Sequence, residues 1–116
     1  MGEFMMVLLH AATNTHILHL QSRSYAEHQA LGTFYQELPD LVDALIESIQ
    51  GKTGDIIEYP TEYYAPAPTG LEELEELSEY VVGNRNLLPQ DSEIQNQVDE
   101  IQSLINSTLY KLRFLK

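Results

Sequence analysis

Apolar side chains recur at steps of three and four residues over most of the chain, a pattern that predicts amphipathic helices. The first of these segments extends over residues 4–20. Its predicted inward stripe consists of Met5, Leu8, Leu9, Ala12, His16 and His19. The segment therefore predicts a first helix with an apolar face that includes two histidines.

The second segment predicts a long helix over about Tyr25–Gln50. Ser22 or Ser24 can supply its N-cap, because a serine oxygen accepts from the free N–H groups of the first helical turn. Gly51 suits the C-cap, and Pro39 predicts a kink or a break inside the helix. The period continues on both sides of the proline, which favours the kink. The apolar stripe consists of Leu31, Phe34, Leu38, Val42, Leu45 and Ile49.

A proline-rich segment, residues 51–68, separates the two halves of the chain. It contains Pro60, Pro66 and Pro68, so no helix is expected within it. About 18 extended residues reach up to roughly 60 Å, which exceeds the ~39 Å length of a helix of about 26 residues. We therefore expect a crossover that returns along the whole length of the molecule. Its expected apolar anchors are Tyr59, Tyr63 and Tyr64.

Two further helices are predicted after the crossover. The third begins at the capping box formed by Thr69 and Glu72 and ends at a left-handed cap near Gly83–Asn84. The fourth begins at a second capping box, Ser92 with Gln95. The inward residues of the third are Leu71, Leu74, Leu77, Val81 and Val82, and those of the fourth are Ile94, Val98, Ile101, Leu104, Ile105, Leu109 and Leu112.

This connectivity, two short turns and one long central crossover, predicts an all-α fold, a four-helix ferritin-like bundle. A length of 116 residues fits a single domain, residues 1–116. The third helix also carries five glutamates, which are expected on its solvent face; Glu73 and Glu76 have the alternative of lining the bundle as carboxylate ligands.

Composition limits the chemistry that the chain can perform. A net charge of −12 with only six Lys and Arg residues argues against nucleic-acid binding, because that affinity depends on cationic side chains. The absence of cysteine removes disulfides and thiolate metal sites. No stretch approaches the ~20 apolar residues of a membrane span. We expect a cytoplasmic protein with no membrane partner.

Imidazole and carboxylate groups are placed where they can form a metal site. His16 and His19 share one helix face and His28 opens the next helix, so a helical hairpin brings the three imidazoles together. Asp43 and Glu47 share a face farther along the second helix. A nitrogen and oxygen donor set suits Fe, Mn or Zn. His28 lies roughly 22 Å from Asp43 along a helix, so the two can share an ion only between two chains packed about a two-fold axis.

The segments 19–28, 30–35 and 40–47 resemble the core of the first two helices of Dps-type miniferritins. They resemble still more closely a group of small ferritin-like proteins associated with bacteriophages and cyanophages. The resemblance implies a location in a bacterial or phage-infected cell. It also implies a metal site between subunits, and therefore a homo-oligomer that is at least a dimer. It implies iron as the metal, with manganese or zinc as alternatives. The matching metal ligands are first His28, Asp43 and Glu47, then His19, then His16.

Two functions stay open on these grounds. The first is a ferritin-like metal-binding protein that stores or oxidises iron at intersubunit histidine and carboxylate sites. The second is a non-enzymatic, phage-associated helical dimer that acts as an interaction or accessory module without metal. The sequence does not decide whether the protein is an enzyme.

Overall fold

The computed structural model describes all residues, Met1–Lys116, and contains no strand. The helices are α1 (Gly2–Gln21), α2 (Tyr25–Thr53), α3 (Gly70–Asn84) and α4 (Ser92–Phe114), with one 3-10 turn at Arg85–Leu87. The predicted all-α, four-helix bundle with a long crossover between its second and third helices is confirmed. None of the helices combines the length and the apolar composition needed to cross a membrane.

The crossover, residues 54–69, sets the direction of the last two helices. Gly2 lies against the backbone of Glu58 near the start of the crossover, and Leu18 lines a surface groove with Pro68 near its end. The crossover therefore runs along α1, as predicted, and returns the chain to the end of the bundle where α2 begins. Both α1 and α4 pack against α2 and α3, so α1 and α4 are diagonal. Each packed pair of helices is antiparallel as a result.

The anchors of the crossover differ from the predicted tyrosines. Tyr63 is 78% exposed and Tyr59 is 40% exposed, whereas Ile57 is buried and Tyr64 is half-buried. The backbone of Tyr64 forms hydrogen bonds with side chains of α1, so polar contacts hold the backbone of this residue in place. Aromatic content alone could not identify the anchor, because the path of an irregular segment depends on which backbone groups find partners.

One apolar core fills the bundle and receives side chains from all four helices. The predicted stripe of α2 is buried at all six positions, and that of α4 at every position except Leu104, which is half-buried. The largest completely buried side chains are Phe4, Phe34, Met5, Leu8, Leu31, Leu38, Leu45, Ile49, Leu74, Ile94, Ile101 and Ile105.

The predicted inward stripe of α1 was wrong in part. Met5 and Leu8 are buried, but the core face continues through Ala11, Thr15 and Leu18. Of the other predicted positions, Leu9 and Ala12 are half-buried and pack against the edge of the core, His19 is half-buried, and His16 is exposed. The only Asp, Glu, Lys or Arg residue in α1 is Glu3, so apolar side chains occur on several of its faces. Periodicity singles out an inward face only where the opposite face is polar.

The N-terminal end of α2 agrees with the prediction, whereas its C-terminal end differs from it. Ser24, one of the two predicted N-caps, accepts a hydrogen bond from the backbone N–H of Glu27. Gly54 rather than Gly51 forms the left-handed C-cap, with φ of 77°. The helix is continuous through Pro39, so the proline does not divide it into two helices.

Of the three caps predicted for α3 and α4, the first is confirmed and the other two differ. Thr69 caps α3 by accepting from the N–H of Glu72, as expected. No left-handed residue follows at Gly83–Asn84, because α3 passes directly into the 3-10 turn. The N-cap of α4 is Asp91 rather than Ser92. Val82, predicted to point inward, is 60% exposed.

Candidate functional site

His19 and His28 form a reciprocal pair across the turn between α1 and α2. Nδ1 of His19 donates to the carbonyl oxygen of His28 at 2.6 Å, and Nδ1 of His28 donates to the carbonyl oxygen of His19 at 2.9 Å. The two rings stack with centroids 3.7 Å apart and planes 18° apart. Because a carbonyl oxygen only accepts, both Nδ1 atoms carry the hydrogen. In the neutral form of each ring, the lone pair is therefore on Nε2.

Gly32 provides the space that this pair needs. A Cβ atom at Gly32 would lie 3.0 Å from Cε1 and 3.1 Å from Nδ1 of His19. The connection of three residues between α1 and α2 places the two histidines opposite each other, and the missing side chain lets His19 pack against α2. The histidine pair thus depends on a short turn and on one glycine.

His16 lies beside the pair but makes a different contact. Its exposed ring stacks on Tyr35, with centroids 4.0 Å apart and planes 5° apart. Its centroid is 6.3 Å from that of His19, and Tyr35 is 5.2 Å from His19. The structure therefore brings the three predicted imidazoles to one part of the hairpin. Only His19 and His28 form a close pair.

Asp43 and Glu47 are exposed on α2 and take part in no ion pair. Because α2 is continuous, the roughly 22 Å between His28 and Asp43 expected from the helical rise holds. Within one chain, no group of three or more His, Asp or Glu side chains is placed to hold a metal ion. The imidazoles fit a metal as nitrogen donors, whereas the carboxylates fit only if a second chain supplies them.

A second polar cluster joins the crossover to the bundle. Asn14 donates through Nδ2 to the carbonyl oxygen of Tyr64 at 3.0 Å, and the N–H of Tyr64 donates to Nδ1 of His10 at 3.2 Å. The N–H of Ala67 donates to Oε1 of the buried Glu73 at 2.8 Å. Side chains of α1 and α3 thereby satisfy backbone groups that an irregular segment leaves without helical partners.

Glu73 is the member of the acidic run in α3 that the structure separates from the rest. Burial raises its pKa, the hydrogen bond from Ala67 lowers it, and the negative charge of Glu76 raises it further. The expected solvent face is confirmed for the other glutamates of α3, which are exposed or half-buried. Glu76 therefore does not line the bundle. Glu73 does, as a hydrogen-bond acceptor for the crossover.

We expect Glu73→Gln to be at least as stable as the wild type at pH 7, because glutamine keeps an acceptor for Ala67 without a buried charge. A raised pKa means that the folded state binds the proton more tightly. The contribution of protonated Glu73 to the free energy of unfolding is thus fully present below about pH 4.5. It is lost as the pH rises through the pKa of Glu73 in the folded protein. Urea unfolding at several pH values should show that Glu73→Gln becomes more stable relative to the wild type as the pH rises above about 4.5.

The matched control for this measurement is Glu79→Gln, which removes the same charge from an exposed position of α3. It should shift stability by no more than about 0.5 kcal/mol. A loss above about 1 kcal/mol in Glu73→Gln at pH 7 would show that the charged hydrogen bond to Ala67 outweighs the cost of burying the carboxylate.

Comparisons with known proteins place the chain in a family. It is 36% identical over 52 residues to the "Uncharacterized 14.6 kDa protein in mobD-ri intergenic region" of Enterobacteria phage T4. That match covers 45% of this chain and 41% of the phage protein, so it spans about two fifths of its relative's length. No solved structure shows significant similarity. The sequence profile of DUF5856 matches residues 19–112, a range that contains His19, His28, Asp43 and Glu47. The chain therefore belongs to DUF5856, a family of unknown function.

Proposed function

We propose that the protein is a homodimer that binds a transition-metal ion, in the first place iron, between its subunits. His28 and His19 of one subunit would hold the ion together with Asp43 and Glu47 of the other. The supporting observation is the bond from each Nδ1 to a backbone carbonyl, which leaves Nε2 of both rings with a lone pair. Histidines that bind metals are commonly oriented by such a bond from the other ring nitrogen.

The outer face of α1 supports the homodimer. Thr13, Ile17 and Leu20 are exposed along it, and Leu20 is 68% exposed. α1 carries one acidic residue, whereas α2 and α3 carry five each. In a two-fold interface the same surface meets itself, so an acidic face would place like charges against one another. Among the four helices, α1 offers the face on which this repulsion is smallest.

The outer face of α1 lies where a two-fold axis would have to pass to bring His28 near Asp43 of a second chain. The midpoint between His28 and Asp43 on α2 falls at about residues 35–36, and Tyr35 stacks on His16 beside the outer face of α1. A two-fold axis at that point would place His28 of each subunit near Asp43 of the partner subunit. Two equivalent sites would follow from the symmetry.

The donor set determines what the site would do. Two neutral imidazoles and two carboxylates suit Fe, Mn or Zn, and the carboxylates would balance the charge of the ion. Iron oxidation or storage is the activity that the miniferritin resemblance implies for such a site. His16 would join the ligands only by leaving its stack with Tyr35.

The proposal is tested by measuring solution mass and metal content together. We expect the wild type to be a dimer that binds about one Fe(II) per subunit under anaerobic conditions and oxidises it faster than buffer in air. His28→Ala should weaken metal binding at least about tenfold, because loss of a ligand costs more than loss of an orienting group. His10→Ala is the matched control, since it removes an imidazole bonded to the crossover.

A strictly monomeric protein would contradict the proposal, since one chain cannot bring His28 to Asp43. Equal metal affinity in His28→Ala and His10→Ala would contradict it as well. Anaerobic calorimetry for affinity and near-ultraviolet absorbance for oxidation give independent readouts.

A second candidate function is a metal-free helical dimer that serves as an interaction module in a phage context. The observation that favours it is the stack of His19 on His28, whose planes differ by only 18°. The in-plane lone pairs of two stacked rings lie in nearly parallel planes and do not converge on one point, so a shared ion would require one ring to rotate. In this function the pair holds the α1–α2 turn together. A dimer that shows no metal binding and no metal-dependent change in melting temperature would favour it over the first proposal.

A further inference from the structure

Half of the basic side chains have no acidic partner. Three form ion pairs, which are Lys52 with Asp91, Arg85 with Asp99, and Arg113 with Glu75. The other three are Arg23, Lys111 and Lys116. All three lie at the end of the bundle where α2 and α3 begin and α4 ends. The unpaired positive charge of a protein with net charge −12 is thus concentrated at one place.

Two grooves open at this end. The first has a volume of about 330 Å³ and is lined by Leu71, Leu112 and Leu115 together with Lys111 and Lys116. The second has a volume of about 320 Å³, and Lys111 and Leu115 line it as well. Lys111 therefore lines both grooves, and each groove combines an apolar lining with at least one ammonium group. These volumes fall in the range that small-molecule sites occupy.

The remaining polar lining of the first groove is rich in donors. The hydroxyl oxygens of Ser24 and Thr69 accept from backbone N–H groups at the starts of α2 and α3, so their hydrogens are free to donate. Glu27 is the only carboxylate in the lining, and one of its oxygens lies against Gly70 at the start of α3. The polar lining of this groove thus contains two ammonium groups and two hydroxyls but only one carboxylate.

We propose that the grooves bind a small organic anion, with its carboxylate or phosphate group held by Lys111 and Lys116 and its apolar body on the three leucines. The distribution of charge supports this occupant, because the Lys and Arg side chains without acidic partners all lie at this end, where they offset the negative potential of the rest of the protein. His19 and His28 line neither groove, so the site is independent of the proposed metal site.

The test uses 8-anilinonaphthalene-1-sulfonate, a fluorescent dye with an apolar body and one negative charge. At low salt we expect saturable binding, which Lys111→Gln weakens roughly tenfold, as loss of a hydrogen bond to a charged group predicts. Lys116→Gln should weaken it in the same direction. Lys52→Gln, which removes the same charge at the opposite end of the bundle, should change it less than about twofold.

An uncharged dye, N-phenyl-1-naphthylamine, separates charge recognition from apolar contact. Its binding should be unaffected by Lys111→Gln, and an equal loss for both dyes would overturn the proposal. Non-saturable binding of the charged dye, or an equal loss in Lys111→Gln and Lys52→Gln, would overturn it too. Octanoate and hexyl phosphate identify the preferred head group by displacing the charged dye. Failure of both at millimolar concentration would count against the site.

Discussion

An equimolar mixture of two variants that each lack half of the proposed metal site is expected to recover about one quarter of the wild-type sites. One variant is His28→Ala and the other is the double variant Asp43→Asn, Glu47→Gln. A mixed dimer combines the intact His28 of one subunit with the intact carboxylates of the other. Random exchange makes about half of the dimers mixed, and each of these has one complete site of its two. Elemental analysis after joint unfolding and refolding measures the recovery.

The matched control is a mixture of His28→Ala with His19→Ala. Both changes affect the imidazole side, so every site in the mixed dimer lacks one histidine, and no recovery of full affinity is expected. Recovery in this control, or none in the first mixture, would show that the imidazoles and carboxylates do not meet across a two-fold interface.

Phe34→Ala is expected to have the largest effect on stability, a loss of about 3–5 kcal/mol. Phe34 is completely buried on α2, the helix that packs against both α1 and α4. Its removal takes away buried apolar surface and leaves a cavity that the continuous helix prevents from closing. Because a domain of this size is stabilised by roughly 5–15 kcal/mol, the loss is a large part of the total. Urea unfolding measures it as a lower midpoint with an unchanged m-value.

Glu37→Ala is the control for this substitution, since Glu37 is exposed on the same helix and forms no ion pair. Its effect should stay within about 0.5 kcal/mol. Both variants must be measured at one protein concentration, because the proposed dimerisation would make apparent stability depend on concentration. A loss below about 1 kcal/mol in Phe34→Ala would mean that the core of α2 is packed less tightly than its burial indicates.

The sequence predicted the helices best where polar and apolar faces differ most. In α2 and α4, acidic and amide side chains occupy the outer face, so the inward stripe was read almost completely. In α1 that contrast is missing, and the predicted stripe was wrong in part. Helix ends were less predictable because several residues near each end can cap. Gly51 and Gly54 are an example, since only the position of the last turn selects Gly54.

For the candidate site, the sequence predicted which histidines lie close together but not how they contact each other. Hairpin geometry placed His19 near His28, but the reciprocal carbonyl bonds depend on the backbone of a connection of three residues. The burial of Glu73 depends on where the crossover passes, which no local pattern encodes. The pairing of His28 with Asp43 stays a prediction, because it concerns a contact between two copies of the chain.

The crossover also has a consequence for the order of folding. Each helical hairpin closes through a short connection, whereas the hydrogen bond from Asn14 to Tyr64 joins residues 50 positions apart. Closing a long loop costs conformational entropy before its contacts can compensate. The two hairpins are therefore the units that can form early. The polar contacts between α1 and the crossover join residues far apart in sequence, so we expect them to form later than the contacts within each hairpin.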